Sequence, residues 1–173
     1  MNVIAFAASS SKKSINKQLV SYAVSTLDNA EVEVLDLNDF ELPLFSEDKE
    51  KEIGQPENAH AFLKKMQAAD AVVVSFAEHN GSYSVAYKNL FDWCSRIQPK
   101  VYQDKIMVLL STSPGPGGAK TVLSTAYGSM PFFGADVKAS VSVPSFYDNF
   151  DVDTQQLINS SINAQVISAM KTL

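Results

Sequence analysis

Residues 71–96 read AVVVSFAEHNGSYSVAYKNLFDWCSR, and three kinds of sequence follow one another there without a spacer. Ala71 to Phe76 is apolar apart from Ser75, the signature of a strand covered on both faces. Glu78-His79-Asn80-Gly81-Ser82 is polar and turn-forming, and Gly81 gives a position where a positive φ costs little. Ala86, Leu90, Trp93, Cys94 and Ile97 then recur at helical spacing. A buried strand feeding an amphipathic helix is half of a parallel crossover unit, and the junction at the strand's carboxyl end is where open α/β sheets hold ligands.

Working outward, Val3 to Ala7 and Ile106 to Leu110 are also nearly all apolar and read as doubly covered strands. Val32 and Val34 alternate with glutamates, and Val137 to Val143 alternates with Lys138, Ser140 and Ser142, so both read as half-exposed edge strands. Helical spacing links Ile15, Leu19, Tyr22, Ala23 and Leu27, then Ala59, Phe62, Leu63 and Met66. It returns in Val122, Leu123, Ala126, Tyr127 and Met130, and finally from Ile158 to Leu173. Strands and helices therefore alternate, which predicts an α/β fold with a parallel sheet and right-handed crossovers. Buried first, third and fourth strands with exposed second and fifth select the order 2-1-3-4-5, a flavodoxin-like three-layer sandwich. Asn38 to Gln55 is expected to lie over the surface without regular structure.

With 173 residues, no linker and no repeat, one domain over residues 1–173 is expected. A net charge of −5 with mixed signs excludes the basic face needed for nucleic acid or an anionic membrane. The single cysteine, Cys94, has no disulfide partner and falls on the packed face of a helix, which fits a reducing compartment. At the N-terminus the lysines follow a short apolar run, the reverse of a signal peptide, and no apolar stretch approaches a membrane span, so a cytoplasmic protein is expected. His60 and His79 are the only histidines, and neither a metal-spaced cluster nor a Ser-His-Asp arrangement is suggested.

Three loops meet at the carboxyl edge of such a sheet. The first carries Ser9, Ser10, Ser11 and Ser14 with Lys12 and Lys13, then Ile15 and Asn16 as a helix begins. One serine suffices to cap a helix, and the surplus hydroxyls with the free amides of the helix start suit a phosphate. The second loop is Ala77 to Tyr83. Ser111 to Gly118, the third, reads Ser-Thr-Ser-Pro-Gly-Pro-Gly-Gly and is too glycine-rich for a simple connection. A P-loop is excluded because nothing reads G-x-x-x-x-G-K-[ST].

The second loop and its helix resemble the flavin-contacting P-E-Y-N-G-S and L-K-N-x-x-D-W segments of the NAD(P)H-dependent FMN reductase family. Glu78, Asn80, Gly81, Ser82, Asn89, Asp92 and Trp93 match, while Ala77 and His79 replace proline and tyrosine. The first loop resembles that family's G-S-x-R-x-x-S-x-N phosphate loop through Ser9, Ser14 and Asn16, with Ala8 for the glycine and Ser11 for the arginine. The third resembles the family's glycine-pair loop, with Lys120 where an arginine is usual. From Val3 to about Met130 the resemblance implies an FMN site formed by Ser9, Ser11, Ser14, Ile15, Asn16, Glu78, His79, Asn80, Gly81, Ser82, Ser113, Gly115, Gly117 and Gly118. It implies NADPH or NADH as reductant, a quinone, free flavin or similar small-molecule electron acceptor, and a homodimer or homotetramer. Tyr83, Tyr87 and Phe132 are then candidates to close the nicotinamide side. The flavin carries this chemistry, so no catalytic acid, base or nucleophile is required. A non-enzymatic flavodoxin-like electron carrier is the alternative.

Overall fold

The computed structural model describes residues 1–173. In chain order the elements are β1 (Asn2–Ala8), α1 (Ile15–Ser25), β2 (Glu31–Leu35), α2 (Glu47–Ile53), α3 (Glu57–Ala68), β3 (Ala71–Phe76), β4 (Glu78–His79), β5 (Ser82–Tyr83) and α4 (Val85–Ile97). They continue with β6 (Lys105–Thr112), α5 (Lys120–Ser129), β7 (Ala135–Val143), α6 (Phe146–Asn149), β8 (Phe150–Asp151), β9 (Gln156–Leu157) and α7 (Ser160–Met170). The main sheet has the order β2-β1-β3-β6-β7, all parallel, which is 2-1-3-4-5 once the short hairpin β4–β5 is set aside. This is the flavodoxin-like arrangement expected from the strand polarities.

Alternate side chains of the central strands enter two separate cores. Ile4, Phe6, Val72, Val74, Phe76, Met107 and Leu109 pack under α3, α4 and α5, whereas Val3, Ala5, Val73, Val108 and Leu110 pack under α1 and α7. Both faces are dry, which is why these runs are continuously apolar. Phe6 is wholly buried with its ring 5.5 Å from Phe62 in an edge-to-face contact, so truncating it would cost about 3–5 kcal/mol.

Two expectations need correction. Residues 38–55 are not structureless, since a 3-10 turn spans Leu37–Phe40 and α2 occupies Glu47–Ile53. That helix buries no residue; Ser46 Oγ accepts from Lys49 N, and Glu47, Asp48 and Glu50 sit in the first turn. Capping and dipole complementarity define it, so apolar periodicity leaves no trace of it. The last helix begins at Ser160 rather than Ile158, because Asn159 Oδ1 accepts from Ile162 N and caps it, leaving Ile158 exposed. In β2 only Leu35 is buried, and Val32 and Val34 remain exposed on the sheet's open edge.

Candidate functional site

The chain leaves β1 toward α1 on one face and β3 toward α4 on the other, so their carboxyl ends diverge into a crevice. A cavity of about 260 Å³ opens there, lined from the first loop by Ser9, Ser11, Lys13, Ser14, Ile15 and Asn16. Ala77, Glu78 and His79 line it from the second, Thr112, Ser113 and Pro114 from the third, and Tyr147 from α6. Eight of the fourteen expected residues thus share one cavity. Asn80, Gly81, Ser82, Gly115, Gly117 and Gly118 stand outside its wall.

The first loop is pinned by its own side chains. Ser14, with extended φ of −64° and ψ of 123°, is the N-cap of α1 and its Oγ accepts from Lys17 N. Ser9 Oγ accepts from Ser11 N at 3.2 Å, and Ser14 N donates to Ser11 O. The N–H groups of Ile15 and Asn16, first in the helix, have no acceptor in the chain. Asn16 itself is buried and serves the fold. Its Nδ2 donates to Thr112 O at 3.2 Å, and its Oδ1 accepts from Ser75 Oγ at 2.7 Å and Thr112 N at 3.1 Å. That one side chain ties α1 to the ends of β3 and β6, so what Asn16 offers the cavity is its backbone.

The second loop is a hairpin. Glu78 pairs with Tyr83 and His79 with Ser82, and Asn80 and Gly81 carry φ values of 52° and 76°. Two consecutive positive φ values define the type I′ turn that Asn-Gly favours. His79 to Ser82 are exposed, while Glu78 is half-buried and its Oε2 accepts from Val122 N of α5 at 2.9 Å.

In the third loop Ser111 Oγ and Ser142 Oγ both donate to Gly118 O, and a Cβ on Gly118 would sit 2.3 Å from Ser142 Oγ. Gly118 has φ of 60° and allows the close approach of the loop to β7; its role is conformational. Gly115 O accepts from Ser145 N at 2.9 Å, and Ser113 O from Phe146 N, which brings α6 and Tyr147 to the cavity. Tyr147 escaped the sequence reading because no periodicity marks a four-residue helix.

Charge is divided along the crevice. Lys13 is the only lysine or arginine in the lining and belongs to the first loop; Glu78 is the only carboxylate and belongs to the hairpin. Behind the first loop Lys17 Nζ lies 2.6 Å from Asp36 Oδ2, and the Lys17 hydrogen bond holds the Asp36 carboxyl below its usual range. Asn89 and Trp93 turn away from the cavity: Asn89 Oδ1 accepts from Phe45 N, and Trp93 Nε1 donates to Pro43 O at 2.7 Å. Tyr87 is buried with its hydroxyl 2.8 Å from that of Tyr102, and Tyr83 is half-buried, so only Phe132 of the three candidate aromatics stands free. Burial pushes the Cys94 thiol up to about 12 and keeps it protonated.

A larger cavity of about 460 Å³ lies on the other side of the first loop, walled by Leu37, Phe40, Leu44, Val85 and Leu90 among others. It shares no lining residue with the crevice, and although the start of α4 at Val85 and Ala86 reaches it, its wall has no lysine or arginine and includes Glu41, so its size does not make it the phosphate site.

The NADPH-dependent FMN reductase family model matches residues 1–148. The chain belongs to this family. An uncharacterised protein of Mycoplasma pneumoniae is 28% identical over 158 residues, covering 86% of this chain and 93% of its own. An Arabidopsis thaliana NADPH:quinone oxidoreductase is 31% identical over 125 residues, 70% of this chain, and the match spans only 62% of that enzyme. Among solved structures, FerB, a flavoenzyme NAD(P)H:(acceptor) oxidoreductase from Paracoccus denitrificans, superposes with a TM-score of 0.78 at 20% identity, covering 99% of this chain and 97% of its own. At that identity the likeness carries the fold alone. Within the FMN reductase family fold, the crevice between β1 and β3 is the place where loops from three strand ends converge.

Proposed function

We propose that the chain is an NAD(P)H-dependent FMN oxidoreductase that passes electrons to a quinone, free flavin or similar small acceptor, with FMN in the β1/β3 crevice. The observation that carries the reading is the start of α1, where three serine hydroxyls, two unpartnered amides and one lysine line the same cavity. That donor set fits a phosphate dianion, and the only carboxylate lies at the opposite wall. Ser9, Ser11, Ser14 and Lys13 with the amides of Ile15 and Asn16 would hold the phosphate, and residues 78–82 and 113–118 would flank the ring.

When bound, FMN supplies hydride acceptance and one- or two-electron transfer. Everything else asked of the protein is binding and exclusion. Four hydrogen bonds to a phosphate give at most about 12 kcal/mol before ordering costs, so ring contacts must supply the remainder of a tight site. The cavity is smaller than pockets that enclose a whole ligand, about 300–1,000 Å³, and a cofactor held here keeps a face open to reductant and acceptor.

Residues 1–173 act as one flavin domain under this reading. The exposed Leu44, Val85 and Phe132 suit burial in a homodimer or homotetramer, and the lone cysteine suits the cytosol. No helix is long and apolar enough to cross a membrane. The deciding experiment is the absorption spectrum of purified protein with added FMN, followed by bleaching with NADPH or NADH and re-oxidation by a quinone. Multiple turnovers without a protein partner support the enzyme; flavin binding with no nicotinamide oxidation would leave an electron carrier, and no flavin binding defeats both.

A further inference from the structure

We infer that Glu78 is a positioning residue that latches the β4–β5 hairpin along α5 and sets the charge at the hairpin wall of the crevice. The inference rests on the FMN reading for its ligand effects and on geometry alone for the latch.

Helix α5 lacks a cap of its own. Its N-cap residue, Ala119, is left-handed with φ of 58° and has no side-chain oxygen, yet Val122 N, in the first turn, needs an acceptor. Glu78 Oε2 supplies it at 2.9 Å from 44 residues away. The hairpin, for its part, has two residues per strand and only two cross-strand pairs, too little to hold itself. Tyr83, the residue paired with Glu78, reaches the other end of the same helix, where its Oη lies 3.3 Å from Ser129 Oγ. The base pair of the hairpin therefore spans α5 from Val122 to Ser129. Glu78 is the stronger tether because a carboxylate facing a helix start gains both a charge-assisted bond and the dipole.

The same carboxylate is the only acid in the crevice lining. A reduced flavin carries more negative charge than an oxidised one, so a carboxylate in this wall makes reduction harder, and its removal makes reduction easier.

Glu78→Ala and Glu78→Gln separate the two effects, since the amide oxygen of glutamine keeps an acceptor for Val122 but not the charge. In the FMN-free protein, hydrogen exchange at the Val122 amide should accelerate at least about tenfold in E78A and stay within about threefold of the parent in E78Q. The FMN dissociation constant should rise about tenfold in E78A, or about 1.4 kcal/mol, and less than about threefold in E78Q. The midpoint potential of the bound flavin should move positive in both. Unchanged Val122 protection and FMN affinity in E78A would overturn the latch, and an unmoved potential in E78Q would overturn the electrostatic role. A parent protein that binds no FMN would instead defeat the functional reading, and the exchange measurement would still decide the latch.

Discussion

The two ends of the crevice are built in opposite ways. At the first loop Ser9, Ser14 and Asn16 are buried and tied into the fold: the Ser9 and Ser14 hydroxyls accept from the loop's own amides and Asn16 bonds Ser75 and Thr112, while the N–H groups of Ile15 and Asn16 and the exposed Ser11 and Lys13 side chains stay free. At the hairpin the side chains from His79 to Ser82 are exposed and free, and the element hangs on α5 through Glu78 and Tyr83. One end is anchored in the core and its geometry is inherited from the fold. The other can change side chains with little cost to stability, which is where His79 stands in place of the family's tyrosine.

Asn16→Ala tests the contrast most severely. It strands Ser75 Oγ and both backbone groups of Thr112 in a buried place, and should cost about 4 kcal/mol in denaturant unfolding of the FMN-free protein. A loss below about 1 kcal/mol would break the claim that the first loop is core. Lys13→Gln comes next: FMN should bind about five- to tenfold more weakly with a shallower salt dependence, whereas Lys12→Gln, off the cavity wall, should stay within about twofold. Equal effects would mean that only net charge matters. At the opposite end, His79→Tyr should leave unfolding within about 0.5 kcal/mol while tightening FMN a few-fold through added ring area, read by fluorescence titration.

The smallest effect concerns pH. The folded-state pKa of Asp36 is lowered by Lys17, so its contribution is present above the unfolded carboxyl value of about 3.9 and is lost as pH falls through the lower folded value. Solvent screening limits it to about 1 kcal/mol or less. Asp36→Asn should therefore lower stability slightly at neutral pH and converge with the parent in acid, as followed by unfolding at stepped pH.

The sheet order was legible because burial on two faces writes itself as continuous apolar runs, and the edges as alternation. Helix α2 was not, because caps and charges make it without any buried face. For the candidate site, Ser9, Ser11, Ser14, Ile15, Asn16 and Glu78 were expected from loop composition and the family resemblance, and all six line one cavity. Their division of labour was not expected: Asn16 and Gly118 stand in ligand loops, yet their contacts run to Thr112 and Ser142, residues 96 and 24 positions away.

By itself the sequence determined which segments form the five-stranded sheet, their order in it and therefore where the crevice lies, since each follows from local periodicity and short-range chirality. Only the tertiary structure decided which residues face that crevice, how Glu78 and Tyr83 carry the hairpin along α5, and that Tyr147 completes the wall. Those outcomes depend on hydrogen bonds between residues far apart in the chain, for which no local pattern exists.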